Sequence, residues 1–344
     1  MNRQTEKGWT RGRVLKSALV LAGMTSAGLS LWAAAATGPT LSAGRLIVLT
    51  GDEFRILNAA TGKATSHLVK DKTVNKAALS RDGNTLAAGN LDGSVTLWSV
   101  ATGKSLHILS GQTDTIESLT FSPDGRTLAT GSADTTVKLW NVATGKETLT
   151  FSGGVDSAAK AESPQGVEFI AFSPDGKVVA SGTDSGWIVI WAAATGKVLL
   201  RIAEGNFNLV NTAVFSLDGK TLITGQYDKT VKVWNLATGK ILNTLTGHLG
   251  RVYTVALSPD GKLIASGGED RRIKLWNLAS GKLIRTLYDD DGTDAVSFSP
   301  DGKTLFVMNE NGGAKLWNVV SGMVVWTLDP PARSGWLRST HPVD

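Results

Sequence analysis

A three-residue phrase, Thr-Gly-Lys or a near variant, recurs seven times, with its glycine at Gly62, Gly103, Gly145, Gly196, Gly239, Gly281 and Gly322. Successive spacings are 41, 42, 51, 43, 42 and 41 residues. A unit of that length is too small to bury a core alone, so repeats with such a period must stack and share apolar faces. The repetition covers residues 42–329 and argues for one domain in a chain of 344 residues.

One copy shows what each unit does. Ile116, Leu119 and Phe121 form a short apolar strand that runs into Ser122-Pro123-Asp124-Gly125. That tetrapeptide is a turn: proline presets φ, aspartate bonds its own backbone and glycine tolerates positive φ. Thr127–Gly131 is a second strand, small enough for a crowded interior, and a turn around Asp134 follows. Val137-Lys138-Leu139-Trp140 alternates apolar and polar residues, the period of a half-buried strand. After the Thr144-Gly145-Lys146 turn, a fourth strand passes through Leu149 and Phe151. Each copy is thus expected to be a four-stranded antiparallel meander. Tryptophans recur in its third strand at Trp98, Trp140, Trp191, Trp234, Trp276 and Trp317, with Leu57 in the first copy. Their regularity points to core packing, with a partner needed for each indole N–H.

In Phe121-Ser-Pro-Asp-Gly125, Thr130-Gly-Ser-Ala-Asp134 and Val137-Lys-Leu-Trp140-Asn141 the chain resembles the WD40 repeat family. The resemblance implies an all-β, seven-bladed propeller of four-stranded antiparallel blades. The family's terminal Trp-Asp stands here as Trp-Asn, at Asn141, Asn235, Asn277 and Asn318. Members often carry a Gly-His pair whose histidine bonds the aspartate between the second and third strands. His248 with Ser266, Asp270 and Trp276 matches fully, and the resemblance makes these four a structural network. Asp92, Asp134 and Asp228 keep the aspartate without the histidine, which implies partial or water-supported networks there.

The formal charge of +5 is concentrated in the leader, where Arg3, Lys7, Arg11, Arg13 and Lys16 oppose Glu6. The rest is almost neutral, which argues against a nucleic-acid partner. Basic residues before an apolar run from Ala18 to Ala36 describe a signal peptide over 1–36 or an uncleaved anchor. Either implies export, to a periplasmic or extracellular place, or attachment to a membrane facing away from the cytoplasm. The domain proper would be 37–344. Its first strand is expected near Ala34–Leu41, and the tail 331–344 is expected to complete the first blade and lock the ring. With no cysteine, thiolate metal sites and disulfides are excluded.

Departures from the repeat mark a candidate partner face, formed by loops between blades and turns between second and third strands. Trp187 stands where other copies have small, polar or charged residues, and Tyr227, Glu269, Arg271 and Arg272 occupy equivalent turns. Phe207 lies in a connecting loop, and 153–166 is an insertion. Aromatic and arginine residues together are the composition of an interface anchor. Asp289–Asp294 is an acidic loop that could hold Ca²⁺, but its spacing departs from the twelve-residue calcium loop, which favours a solvated turn.

The resemblance implies a non-catalytic, monomeric protein-interaction scaffold without cofactor or metal. The alternative is a propeller enzyme, lactonase-like or quinone-dependent. Thr-Gly-Lys phrases do resemble quinone-enzyme repeats, but there a tryptophan follows the turn, whereas here it precedes it in six copies. His67, His107, His248 and His341 lie in different repeats, with no phosphate loop or serine elbow beside them.

Overall fold

The computed structural model describes residues 29–31, 45–50, 53–58, 64–69, 74–152, 166–183, 185–203, 209–309 and 313–328. Every regular element among them is a β-strand. Six four-stranded antiparallel sheets span 74–109, 116–152, 167–203, 210–245, 252–288 and 293–328, and these are the first to sixth blades below.

The second blade shows how sequence builds a blade. Leu128 pairs with Phe121 on one side and Trp140 on the other, which places all three on one sheet face. The Ser122–Gly125 turn closes as its residue types require. Gly125 takes φ 70° and donates its N–H to the Ser122 carbonyl at 2.8 Å. Ser122 Oγ donates to Asp124 at 2.6 Å, and the same carboxylate accepts the Arg126 N–H at 3.0 Å. Burial falls outward. Thr127–Ser132 is buried after its first residue, whereas Glu147–Ser152 is largely exposed.

No blade contains a complete core. The apolar clusters lie in the wedges between neighbours: Ala129, Val137, Leu139 and Phe151 of the second blade meet Val167, Ile170, Phe172 and Trp191 of the third. The next wedge joins Phe169, Ile188 and Ile190 to Phe215, Leu222 and Trp234. Each large apolar side chain so buried contributes about 1.5–3 kcal/mol. Every cluster is shared by two adjoining blades except that of Val74, Leu86 and Trp98, which lies within the first blade.

The recurring glycine serves this stacking. In the Thr-Gly-Lys turns it takes φ between 67° and 71°, a conformation that favours glycine. It also faces the outermost strand of the preceding blade. A Cβ at Gly145 would lie 2.8 Å from the His107 ring, and one at Gly322 would lie 2.6 Å from the Arg285 guanidinium. His107 meets the Ala143 carbonyl at 3.0 Å, and Arg285 donates to the Val320 and Ser321 carbonyls at 2.8 and 3.0 Å.

The expected seven-bladed propeller is corrected to six blades. The Gly62 repeat forms its own four-stranded sheet of Leu29–Leu31, Arg45–Thr50, Glu53–Asn58 and Ala64–Val69. Its strands pack on one another, while the strand-to-strand packing that joins blades runs from the first to the sixth. Physically, this repeat lacks the third-strand tryptophan, having Leu57 instead, and lacks a Ser-x-Asp-Gly turn between its first two strands. Its first strand is Leu29–Leu31, not Ala34–Leu41, and pairs with Val48–Thr50. That strand lies inside the apolar run expected to form a signal or anchor, and nothing in the structure supports such a segment. No helix among the described residues is long and apolar enough to cross a membrane. The tail 331–344, with its expected latch, lies outside the described residues.

Candidate interaction face

The turns between second and third strands clamp the loops that enter the same blade. Glu269 N–H donates to the Arg251 carbonyl at 3.0 Å, Tyr227 N–H to the Leu209 carbonyl at 3.0 Å, and Ala133 N–H to the Thr115 carbonyl at 2.9 Å. Loops and turns therefore form one face at the same end of the blades.

Beneath it, in the fifth blade, four side chains form a buried relay. The Asp270 carboxylate can only accept, so His248 Nδ1 carries a proton and donates to it at 3.0 Å. Trp276 Nε1–H donates to Ser266 Oγ at 2.8 Å, and the Ser266 hydroxyl is then free to donate to His248 Nε2, also at 2.8 Å. Burial pushes the Asp270 carboxyl up. Hydrogen bonds from His248 and the Leu249 N–H outweigh this and hold it below the ordinary aspartate range. Serine, histidine and carboxylate in line are also the makings of a nucleophile, but Ser266 is fully buried and its oxygen is occupied by the indole.

The second blade holds a relay that the Gly-His signature does not reveal. Trp140 Nε1–H donates to Thr130 Oγ1 at 2.9 Å, and Thr130 donates to Gln112 Oε1 at 2.6 Å. Gln112 Nε2 donates to Thr136 Oγ1 at 3.1 Å, and Thr136 donates to Asp134 at 2.7 Å. The legible signal was Gly111-Gln112 at the place of Gly247-His248, four residues before each innermost strand. In the third and fourth blades the indole N–H groups of Trp191 and Trp234 reach Ser181 and Thr224. In the sixth, Val307 stands at that place and Trp317 Nε1 has no hydrogen-bond partner.

On the surface, the expected anchor residues separate into groups. The Arg251 guanidinium lies 4.5 Å over the Tyr227 ring, a cation–π contact between the fourth and fifth blades. Glu269 accepts the Arg251 N–H at 3.2 Å and lies 3.9 Å from its Nε. Burial pushes the Tyr227 phenol up, against the opposing charge of Arg251. Arg272 lies 5.7 Å over the Tyr288 ring, and Arg271 is exposed with φ 58°. Trp187, half-buried, opens the third strand of the third blade, opposite Ala203. Phe207 and 153–165 lie outside the described residues. Arg251 was missed because it occupies a loop position with no repeating residue type. The acidic loop is held by a fixed cation: Lys315 Nζ lies 2.7 Å from Asp289 and 2.6 Å from Asp290. No cluster of metal-ligating side chains occurs among the described residues.

A family model described as WD domain, G-beta repeat matches residues 61–99, 103–141, 151–192, 197–235 and 239–277, more than half of the chain. The chain belongs to the WD40 repeat family. No curated protein sequence matches it. Among WD40 repeats these carry Trp-Asn or another pair in place of Trp-Asp, and the strands of the sixth blade lie outside the matched residues.

Proposed function

We propose that this WD40 protein is a non-catalytic scaffold that holds a protein partner on the face formed by its loops and second-to-third-strand turns. The observation that carries this reading is the Tyr227–Arg251–Glu269 cluster at the junction of the fourth and fifth blades. An aromatic ring stacked under an arginine presents rigid apolar area and directed donors at little entropic cost. Leu249, 64% exposed, lies beside it in the loop that carries His248, and Arg271 projects from the adjacent turn. The buried relay below fixes these turns in place.

The test is crosslinking capture with the full chain, compared with a variant carrying Trp187→Ala, Tyr227→Ala and Arg271→Ala. A partner retained by the parent and lost by a variant of unchanged melting temperature is expected. Equal capture by both would overturn this placement.

A further inference from the structure

The opposite end of the blades carries a different chemistry. The first-to-second-strand turns and the Thr-Gly-Lys turns lie side by side there. In blade after blade the residue following the third strand donates its N–H to a carbonyl of the neighbouring turn: Val142 to Arg126, Ala193 to Lys177, Leu278 to Lys262 and Val319 to Lys303, at 2.8–2.9 Å. One set of turns presents Arg126, Lys177, Lys220, Lys262 and Lys303, all exposed. The other presents Lys104, Lys146, Lys197, Lys240 and Lys282, also exposed.

The turn aspartates offset the cations of the first set one for one. The Thr-Gly-Lys turns contain no carboxylate of their own, so their lysines are the surplus positive charge of this face. Each carboxylate is held by its turn serine, as Asp260 is by Ser258 at 2.6 Å. The ammonium groups of Lys177, Lys262 and Lys303 stand 3.6–3.9 Å from those carboxylates, in loose, solvent-exposed ion pairs of little strength.

Apolar side chains are interleaved with the cations. Lys240 precedes exposed Ile241 and Leu242, Lys282 precedes exposed Leu283 and Ile284, and Lys197 is followed by exposed Leu199 after Val198. At the turn tips, Leu217 is 51% exposed, Val320 80% and Met323 69%. A partner bearing only phosphates would have no use for the tips. Cations flanking protruding apolar side chains match the headgroup and upper acyl region of an anionic bilayer.

We propose that the turn face rests on an anionic lipid surface, with Val320 and Met323 inserting and the lysines facing the headgroups. The loop face then points away from the membrane and remains open to a partner.

The chain has no cysteine, so Val320→Cys accepts a single environment-sensitive dye. The full-length labelled protein is mixed with phosphatidylcholine vesicles with and without phosphatidylglycerol. A blue shift is expected only with the anionic vesicles, and none for a dye at Leu249→Cys on the loop face. Lys262→Glu, Lys282→Glu and Lys303→Glu together should weaken vesicle partitioning by about a hundredfold or more, with an unchanged melting temperature because all three are exposed. Equal partitioning of the charge-reversed chain would place any binding elsewhere, the leader included, and would overturn the proposal. So would a silent dye at position 320, equal binding to neutral vesicles, or duplex DNA binding as tight as that of anionic vesicles at the same salt.

Discussion

Gln112 in the second blade occupies the place that His248 holds in the fifth, and each joins the acceptor of a buried indole to the aspartate of the turn above. The two relays differ by one link. Histidine reaches Asp270 directly, whereas Gln112 needs Thr136 as a bridge to Asp134. The bridge position in the fifth blade is Arg272, the first residue of the same strand.

His248→Gln should therefore destabilise the protein by about 1–3 kcal/mol, the range for a buried donor or acceptor left unsatisfied. Adding Arg272→Thr should recover part of that loss by restoring the bridge. Chemical denaturation of the two variants and the double variant, treated as a cycle, measures the coupling. A purely additive result would show that the bridge does not form.

Trp317 Nε1 is buried without an acceptor because Val307 replaces the serine or threonine of the second to fifth blades. Val307→Thr keeps nearly the same shape and supplies the oxygen. A gain of about 1 kcal/mol is expected, read as a higher denaturation midpoint with unchanged slope.

The turn aspartates Asp82, Asp124, Asp175, Asp218, Asp260 and Asp301 are all held below the ordinary value of 3.8, first by their serine hydroxyls and next by backbone N–H groups. A depressed folded-state value means stability that is present above 3.8 and lost as pH falls through the lowered value. Because every blade repeats the turn, the losses should accumulate into a steep acid limb. Asp124→Asn should be less stable than the parent near neutrality and indistinguishable from it at the foot of that limb. Thermal midpoints across the acid range test this.

Lys315 moves the other way. Burial alone would lower it, but hydrogen bonds to Asp289 and Asp290 prevail and raise it above 10.5. A raised value means stability that is full below 10.5 and lost as pH rises through the folded-state value. Lys315→Met should therefore be destabilised at neutral pH, since it strands the buried Asp289 carboxylate. The gap from the parent should shrink in strong alkali. A gap that stayed constant with pH would assign the loss to packing.

Much of the fold is legible in particular residues. Ser-Pro-Asp-Gly turns, third-strand tryptophans and Thr-Gly-Lys glycines locate every strand of the six blades, because each answers a local requirement of φ or burial. Blade number was not legible in the same way. A Thr-Gly-Lys turn reports a hairpin, whereas joining the propeller depends on apolar wedges with neighbours, and the Gly62 repeat keeps the turn but has Leu57 for tryptophan. At the candidate site, Tyr227 and Glu269 stood out as departures from the repeat, but Arg251 did not. Its role arises from stacking across a blade boundary, which no single repeat encodes.

The sharing of each wedge by two repeats has a consequence for heredity. A cut through the middle of a blade would leave two half-cores facing solvent, whereas duplication or loss of one whole period leaves every surviving junction with matched sides. Length can thus change without harm only in steps of a full unit, or within connections such as the Gly-, Ser- and Ala-rich stretch after Ser152. The near-constant spacing of the glycines is the trace of that rule.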